Sequence, residues 1–370
     1  MDRRIKRNLA GWLCVICMLA VTACGSAQTK TPDTERQSLG TETQMSGEGQ
    51  IKEEVKQATE VPEADTVAQK ASGEAGTEIR VGSLKGPTTM GIVNLRKKAE
   101  NGETVDTYSF TMATAADEIS AKLVSGDLDI ALIPANLASV LYHKTQGKIR
   151  VADINTLGVL YCVTTDESIH SVEDLTGKIV VTTGQGTTPE YALRTLLERS
   201  GITDCTLEFK SEATEVAALL KEGSAQIGVL PQPFVTAAMM QNEALQSAFS
   251  LSEEWDRLDA DSHLVTGVTV VRAEFLEEHA DAVARFVSEH EASAALANSD
   301  VQKTAELVAE YGIIEKAPVA AKAIPNCNIV CITGEEMKTA LSGYLDTLYA
   351  QDPQAVGGSL PGDDFYVQER

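Results

Sequence analysis

Two stretches of the chain, ISAKLVSGDLDIALIPANL at residues 119–137 and VAALLKEGSAQIGVLPQPF at residues 216–234, repeat one pattern 97 residues apart. Each has a helical segment that stops at a glycine, Gly126 or Gly223, followed by a short apolar strand and a proline. Glycine ends helices because it adopts a left-handed backbone conformation without strain. In an open α/β sheet, ligands bind beyond the carboxyl ends of the strands. Two copies of this unit therefore predict two similar lobes, each with a ligand-facing edge.

Strands and helices alternate around both copies of the unit. The predicted strands are at residues 79–84, 107–112 and 129–133, and again at 178–183, 206–209 and 226–230. Such alternation predicts mainly parallel sheets with helices on both faces. The chain becomes helical after residue 273, where Thr333-Gly-Glu-Glu336 fits a capping box. The predicted fold class is α/β with two lobes, each a mainly parallel sheet flanked by helices.

The order of these elements also predicts the lobe boundaries. The simplest arrangement returns the chain to its first lobe, so that residues 78–165 and 265–370 form lobe 1 and residues 166–264 form lobe 2. The chain would then cross between the lobes near residues 164–166 and 265–267. These two crossings would form a hinge.

The N-terminal segment predicts export and a lipid anchor. Basic residues precede an apolar run at 9–21, which is too short to span a bilayer and is typical of a signal peptide at residues 1–23. The sequence Val21-Thr-Ala-Cys24 resembles the lipobox of bacterial lipoproteins, which implies cleavage before Cys24 and its lipidation. Residues 24–77 carry no aromatic side chain and are rich in polar residues, so we expect a disordered tether.

Composition narrows the possible partners of the folded body. The formal net charge is −23 with a sequence pI near 4.6, which argues against nucleic acid and anionic lipid as partners. Outside the N-terminal segment the cysteines are Cys162, Cys205, Cys327 and Cys331. They form no disulfide scaffold or zinc-knuckle spacing, and we expect buried thiols. We expect a monomer without metal or cofactor.

The candidate ligand-binding residues lie in loops that follow strands. Two loops of glycine and threonine open helices, where backbone N–H groups and the helix dipole favour anions. The amides Asn136 and Gln232 follow the two prolines, and Asn326 can return to the cleft from the C-terminal part. The loop candidates are Lys85, Gly86, Thr88 and Thr89 in the first loop and Gln185, Gly186, Thr187 and Thr188 in the second. The alternative, that the threonines only cap helices, stays open.

Signatures of catalysis are weak. Gly184-Gln-Gly186 lacks the third glycine of a dinucleotide-binding fingerprint. The histidines do not pair at metal-binding or catalytic spacing, and the serines lack a nucleophile-elbow context. We therefore expect a protein that is not an enzyme.

The chain resembles the substrate-binding lipoproteins of bacterial ABC importers, in particular the group that includes nitrate, alkanesulfonate, taurine and thiamine-precursor binders. The resemblance is carried by the lipobox, by RVGSLKGPT at residues 80–88, by Leu123-x-x-Gly126-x-x-Asp129-Ile-Ala and by Leu175-Thr-Gly-Lys178. It implies a type II periplasmic-binding-protein fold outside the cytoplasm. It also implies a small-molecule ligand held between the lobes, and an ABC permease with its ATPase as partner.

The resemblance leaves the ligand and the final role open. A sulfonate, nitrate or carboxylate anion fits Lys85 and the helix ends. A neutral heterocycle such as a thiamine precursor, stacked on Tyr161 or Phe234, is the alternative. A lobe that presents its ligand to a membrane sensor, or an enzyme on the same fold, are further alternatives.

Overall fold

The structure, a computed structural model, describes residues 76–258 and 262–367. The predicted signal peptide, Cys24 and the tether up to residue 75 lie outside the described residues. Thr77, predicted as the end of the tether, already belongs to the body, since its N–H donates to Asp106 Oδ1 at 2.8 Å.

The described residues form strands and helices in alternation, followed by a helical C-terminal part. The strands are β1 (Glu78–Leu84), β2 (Thr107–Ala113), β3 (Ile130–Pro134), β4 (Ile149–Leu157), β5 (Leu160–Thr164), β6 (Ile179–Thr183), β7 (Thr206–Lys210), β8 (Ile227–Pro231), β9 (Gln246–Ser250), β10 (Val265–Arg272) and β11 (Ile329–Ile332). The helices are α1 (Pro87–Met90), α2 (Val93–Glu100), α3 (Ala116–Ser125), α4 (Ala135–Lys144), α5 (Thr188–Arg199), α6 (Ala213–Glu222), α7 (Phe234–Gln241), α8 (Leu251–Leu258), α9 (Ala273–Glu278), α10 (Ala280–Ser299), α11 (Val301–Glu310), α12 (Ala317–Ala323) and α13 (Gly334–Gln351). Short 3₁₀ turns lie at Val172–Leu175, Ile324–Asn326, Pro353–Val356 and Asp363–Phe365.

The repeated unit folds as its sequence predicts. Helices α3 and α6 end at Gly126 and Gly223, whose φ angles of 83° and 73° are left-handed. Each helix leads into a buried strand, β3 or β8, that ends in proline. The left-handed glycine stops the helix and turns the chain back into the sheet.

Two sheets organise the body. The first has the order β11-β4-β10-β3-β1-β2 and the second the order β7-β6-β8-β5-β9. Strand β1 runs parallel to β2 and β3, and β6 runs parallel to β7 and β8. Strand β10 is antiparallel to β3 and β4, and β5 is antiparallel to β8 and β9. The predicted α/β class is confirmed. The first sheet combines a parallel group with two antiparallel strands, β10 and β11, and the second combines a parallel group with the antiparallel strand β5.

The chain changes sheet earlier than the sequence predicts. The apolar run at 157–164 spans two strands, because Gly158 and Val159 separate β4 of the first sheet from β5 of the second. A Cβ on Gly158 would lie 2.0 Å from Ser252 Oγ, so the turn passes where only glycine fits. Residues 160–164, predicted in lobe 1, therefore belong to the second sheet. The return lies before Val265, which pairs with Leu157.

The C-terminal helix α13 contacts the second sheet's elements as well as the first's. Tyr344 is fully buried, and its ring centroid lies 6.0 Å from that of Trp255 on α8. Gln351 Nε2 donates to the carbonyl oxygen of Tyr191 on α5 at 3.0 Å. Helix α13, predicted as part of lobe 1, thus also packs against elements of the second sheet, a contact that its apolar face alone does not reveal.

Candidate ligand-binding site

The first glycine-threonine loop joins β1 to α1. Thr88 Oγ1 donates to the carbonyl oxygen of Leu84 at 3.0 Å, and Thr89 Oγ1 donates to Ser83 Oγ at 2.8 Å and contacts the Leu84 carbonyl oxygen. Both threonines are 7% exposed. Gly86 has a φ of 145° and open space where a Cβ would stand. The threonine hydroxyls thus hold the loop against the end of β1, and the side chain of Lys85 is exposed.

The helix after this loop is shorter than the sequence predicts. A single helix from Met90 to Asn101 is expected, but α1 ends at Met90 and α2 begins at Val93. Gly91 separates them, and its carbonyl oxygen accepts a hydrogen bond from Ser293 Oγ at 2.6 Å. Because α1 has only four residues, few aligned peptide dipoles point toward its N-terminus, which weakens the expected attraction for anions.

The second glycine-threonine loop precedes α5, whose N-terminus already holds a carboxylate. Gly186 N–H donates to Glu190 Oε2 at 2.7 Å, and Arg194 Nε donates to Glu190 Oε1 at 2.7 Å. Burial acts to raise the pKa of Glu190, but the hydrogen bonds from Gly186 and Arg194 outweigh it and lower the pKa. The chain's own acid therefore occupies a position that an anionic ligand would need.

The remaining side chains of this loop differ in their surroundings. Thr187 Oγ1 donates to the carbonyl oxygen of Gly184 at 2.7 Å. Thr188 Oγ1 accepts from the Tyr344 hydroxyl at 3.2 Å. Gln185 is exposed, so it is the side chain of this loop that remains available to a ligand.

The three predicted amides lie in different places. Asn136 Nδ2 donates to the carbonyl oxygen of Ala355 at 3.4 Å and ties α4 to the 3₁₀ turn at Pro353–Val356. Gln232 is 4% exposed, and its Oε1 accepts from Thr236 Oγ1 at 2.8 Å. Asn326 is exposed, and its carbonyl oxygen accepts from the Tyr161 hydroxyl at 2.9 Å. This last bond joins the 3₁₀ turn at Ile324–Asn326 to β5 of the second sheet.

A cavity of about 480 Å³ lies between α7, strands β5 and β9, and the segment of α12 with its following turn. This volume is in the range of pockets for small organic molecules. Its lining is Tyr161, Gln232, Val235, Thr236, Met239, Met240, Glu243, Ser247, Lys322 and Asn326. Of the predicted site residues the cavity brings together Gln232 and Asn326. The other nine are absent from its lining.

The lining combines apolar surface with a few polar groups. Lys322 and Glu243 are its charged residues, both exposed. Burial is the main cause that raises the pKa of the Tyr161 hydroxyl to about 12, so this group acts as a neutral hydrogen-bonding partner. Lys322 is a contact that sequence reasoning missed. Its spacing of four residues from Asn326, one helical turn, is the signal that could have indicated it.

Two sheets of this order, with the chain passing twice between them and a cavity lined from both sides of the passage, define a two-lobed periplasmic-binding-protein fold. No helix in the described part of the chain is long and apolar enough to cross a membrane.

Solved structures have the same fold. An ABC transporter structure from Parabacteroides distasonis matches with a TM-score of 0.68 and 24% identity over 80% of this chain and 100% of that one. The periplasmic aliphatic sulphonate binding protein from Escherichia coli matches with a TM-score of 0.62 and 15% identity over 78% and 96%. The alkanesulfonate-binding protein from Xanthomonas axonopodis pv. citri bound to MOPS matches with a TM-score of 0.60 and 13% identity over 80% and 100%.

The sequence itself matches a family model. Residues 101–306 match the model described as ABC transporter, phosphonate, periplasmic substrate-binding protein. A search of the curated proteins gave no match. The chain belongs to this family of periplasmic substrate-binding proteins of ABC transporters, whose members are binding proteins rather than enzymes. The resemblance found in the sequence is thereby confirmed at the level of the family.

Proposed function

We propose that this protein is a lipid-anchored receptor that binds a small organic anion in the cavity between α7 and α12 and delivers it to an ABC permease. The observation that carries the proposal is the cavity itself, which is large enough for an organic molecule and is lined from both sides of the sheet crossing. The family match supports a phosphonate, and two similar folds belong to sulfonate binders. We include carboxylates, together with phosphonates and sulfonates, in the proposed class of ligands.

Lys322 is the side chain that we assign to the acid group of the ligand. Lys322 lines the cavity and forms no salt bridge with any of the described residues. A cation that no protein carboxylate neutralises is free to form a charge-assisted hydrogen bond with a ligand acid. Asn326 also lines the cavity; its Nδ2 donates to the carbonyl oxygen of Lys322 at 3.3 Å and has a second N–H that we assign to the ligand. We assign Tyr161, Met239 and Met240 to the apolar surface that contacts the rest of the ligand.

Closure of the lobes completes the site in this account. A ligand shifts a protein toward a closed state only if it binds that state more strongly. We assign Lys85 and Gln185, exposed on the two glycine-threonine loops, to contacts that form on closure. The hinge would lie at the two passages between the sheets, at residues 158–159 and just before β10 at residues 262–264. We assign no ligand contact to the threonines of these loops, because their hydroxyls already have partners in the fold, although none of them caps a helix.

Anchoring and transport follow from the N-terminal sequence and the family. Cys24 would carry the lipid, and the tether after it would let the body move above the membrane and reach the permease. Several acyl chains hold a protein stably at a membrane, whereas a single chain does not. Cys24→Ser should release the protein from membranes, and mass spectrometry of the membrane-bound form should find acyl groups on Cys24. The finding of an unmodified Cys24 in the membrane-bound form would contradict the proposed lipid anchor.

The binding experiment is a thermal-shift screen of phosphonates, sulfonates, carboxylates, nitrate and pyrimidines, followed by calorimetry of the best ligand. Loss of a charge-assisted hydrogen bond costs about 1.5–3 kcal/mol, so Lys322→Ala should weaken binding by about tenfold or more. Lys316→Ala is the matched control, because Lys316 is exposed at the start of α12 and does not line the cavity.

The outcomes separate the parts of this account. Equal affinities of Lys322→Ala and Lys316→Ala would remove the cavity assignment. Unchanged affinity in both Lys85→Ala and Gln185→Ala would remove the two loops from the closed site. A pyrimidine as the best ligand would favour the neutral heterocycle.

A further inference from the structure

Three potential metal ligands from three elements meet on the first sheet, away from the cavity. Asp153 lies on β4, His290 on α10 and Cys331 on β11. A ligand atom of each lies within 4.8 Å of the other two. Asp153 and His290 are 0% exposed, and Cys331 is partly buried. The cluster is therefore largely enclosed, and the Cys331 thiol donates to the carbonyl oxygen of Val287 at 3.9 Å.

The spacing of two of these atoms matches one edge of a coordination tetrahedron. His290 Nδ1 lies 3.2 Å from Asp153 Oδ2, and two ligands at about 2.0 Å from a tetrahedral Zn²⁺ are about 3.3 Å apart. A sulfur bonded at about 2.3 Å to the same ion would lie about 3.5 Å from the other two ligand atoms, so it needs to move inward if it lies near the 4.8 Å limit. A side chain at a partly exposed position can make that movement by rotation about its Cα–Cβ bond.

Neighbouring polar groups form hydrogen bonds that orient the carboxylate of Asp153. Thr269 Oγ1 donates to Asp153 Oδ1 at 2.8 Å and accepts from Asn155 Nδ2 at 3.3 Å. Metal-binding carboxylates and imidazoles are generally oriented by such outer hydrogen bonds. Asp153 thus has one oxygen fixed by the protein and the other directed at the cluster.

The imidazole leaves one nitrogen unused. His290 Nε2 is buried and has no hydrogen-bond partner among residues 76–258 and 262–367. A partner at Nε2 would fix the tautomer of the ring. In the absence of an ion, the Asp153 carboxylate 3.2 Å away favours the proton on Nδ1. A bound cation would replace that proton at Nδ1, and Nε2 is free to carry the ring proton instead.

The charges of the cluster fit a divalent cation. A divalent ion bound by these three groups, with the cysteine as thiolate, would meet one thiolate, one carboxylate and a neutral imidazole. The resulting group has no net charge, which is the favourable state in a buried site.

We propose that Asp153, His290 and Cys331 bind a thiophilic divalent cation such as Zn²⁺. The ion would join β4, β11 and α10 directly beneath the turn between α1 and α2. A Cβ on Gly91 in that turn would stand 3.5 Å from His290 Nε2. The role of the ion would be structural, since it would hold together the elements that support the first glycine-threonine loop.

The test titrates Co²⁺ into the full-length chain after removal of metal with EDTA, because a Co²⁺–thiolate bond gives an intense near-ultraviolet band. Cys331→Ser should weaken Co²⁺ binding, measured by this band, at least tenfold. Mutation of an outer-shell partner of a metal ligand already causes a loss of this size, and Cys331 would be a direct ligand. Cys327→Ser is the matched control. Cys327 is buried, its Sγ donates to the carbonyl oxygen of Ala323 at 3.2 Å, and it lies outside the cluster.

Cys14, Cys17 and Cys24 can also bind Co²⁺, so the difference between the two variants decides the result. Zn²⁺ should raise Tm of the wild type and of Cys327→Ser but not of Cys331→Ser. The proposal is overturned if Cys331→Ser keeps the band and the Zn²⁺ shift, or if the wild type shows neither. Should Cys331→Ser fail to fold, Thr269→Val should lower Co²⁺ affinity about tenfold, and an unchanged affinity would equally overturn the proposal.

Discussion

At the scale of single residues, the structure separates side chains that hold the fold from those that face solvent. Thr88 and Thr89 turn toward the end of β1, and Glu190 caps its own helix. Lys85 and Lys322 are exposed. The same residue types serve as helix caps and as ligand contacts. The sequence therefore located these loops but could not show which way their hydroxyls turn.

The buried carboxylate of Asp129, which directly precedes β3, provides a stability prediction. Asp129 is 1% exposed and accepts hydrogen bonds from Arg80 Nε at 2.8 Å and Arg272 Nη2 at 2.9 Å. Asp129→Asn should lower the free energy of unfolding in urea by about 3 kcal/mol, because both cations lose their shared partner. Asp127→Asn is the control. Asp127 is exposed two residues away, and its change should stay within about 0.5 kcal/mol.

The same carboxylate predicts a pH dependence. Burial acts to raise the pKa of Asp129, but hydrogen bonds from Arg80 and Arg272 outweigh it, so the pKa lies below its ordinary value. A group with a depressed folded-state pKa adds stability above its unfolded pKa of about 4, and this is lost as the pH falls through the lower value. The difference between wild type and Asp129→Asn should therefore shrink in acid. A constant difference down to pH 2 would contradict the assignment.

At the scale of elements, strong periodicity predicted most helices and strands, and weak patterns were missed. The helical region predicted after residue 273 begins with two helices, α9 and α10, which are separated at His279. Strand β9 and helix α8 had no prediction, because Gln246–Ser250 is a short edge strand with little apolar alternation. The capping box predicted at Thr333 is wrong, since this residue makes no side-chain cap. Tertiary packing of α13 stabilises that helix instead.

The attachment of α13 to the second sheet's elements can be tested at one hydroxyl. Tyr344→Phe removes the hydrogen bond to Thr188 Oγ1 and keeps the ring packing, so it should cost about 1 kcal/mol. Tyr349→Phe on the same helix is the control, because Tyr349 is 36% exposed. Equal free energies of unfolding for the two variants would show that the bond does not stabilise the protein.

At the scale of the whole molecule, the sequence predicted two lobes but not the cavity. Repeated helix-glycine-strand units and the alternation of elements were sufficient for the fold class. The cavity joins Tyr161, the segment from Gln232 to Ser247, and Lys322 with Asn326. These segments are far apart in the chain, and their proximity depends on how α12 packs near α7. Local sequence patterns carry no information about that contact.

The turn at Gly158, where the chain passes from the first sheet to the second, allows a prediction about the stability of the whole molecule. Gly158→Ala places a Cβ 2.0 Å from Ser252 Oγ and 2.4 Å from Leu264 Cδ2, and such overpacking costs about 1–3 kcal/mol. Ser252→Ala should relieve part of this strain. The double variant should then be more stable than the sum of the single effects, as measured by urea unfolding. Strict additivity would show that Gly158 is not constrained by this contact.

A crystal structure with the best ligand of the screen tests the central claim most directly. We predict the acid group of the ligand within hydrogen-bond distance of Lys322 Nζ and the rest of the ligand against Tyr161 and Met239. A ligand bound elsewhere, with the space between α7 and α12 filled only by water, would contradict the account.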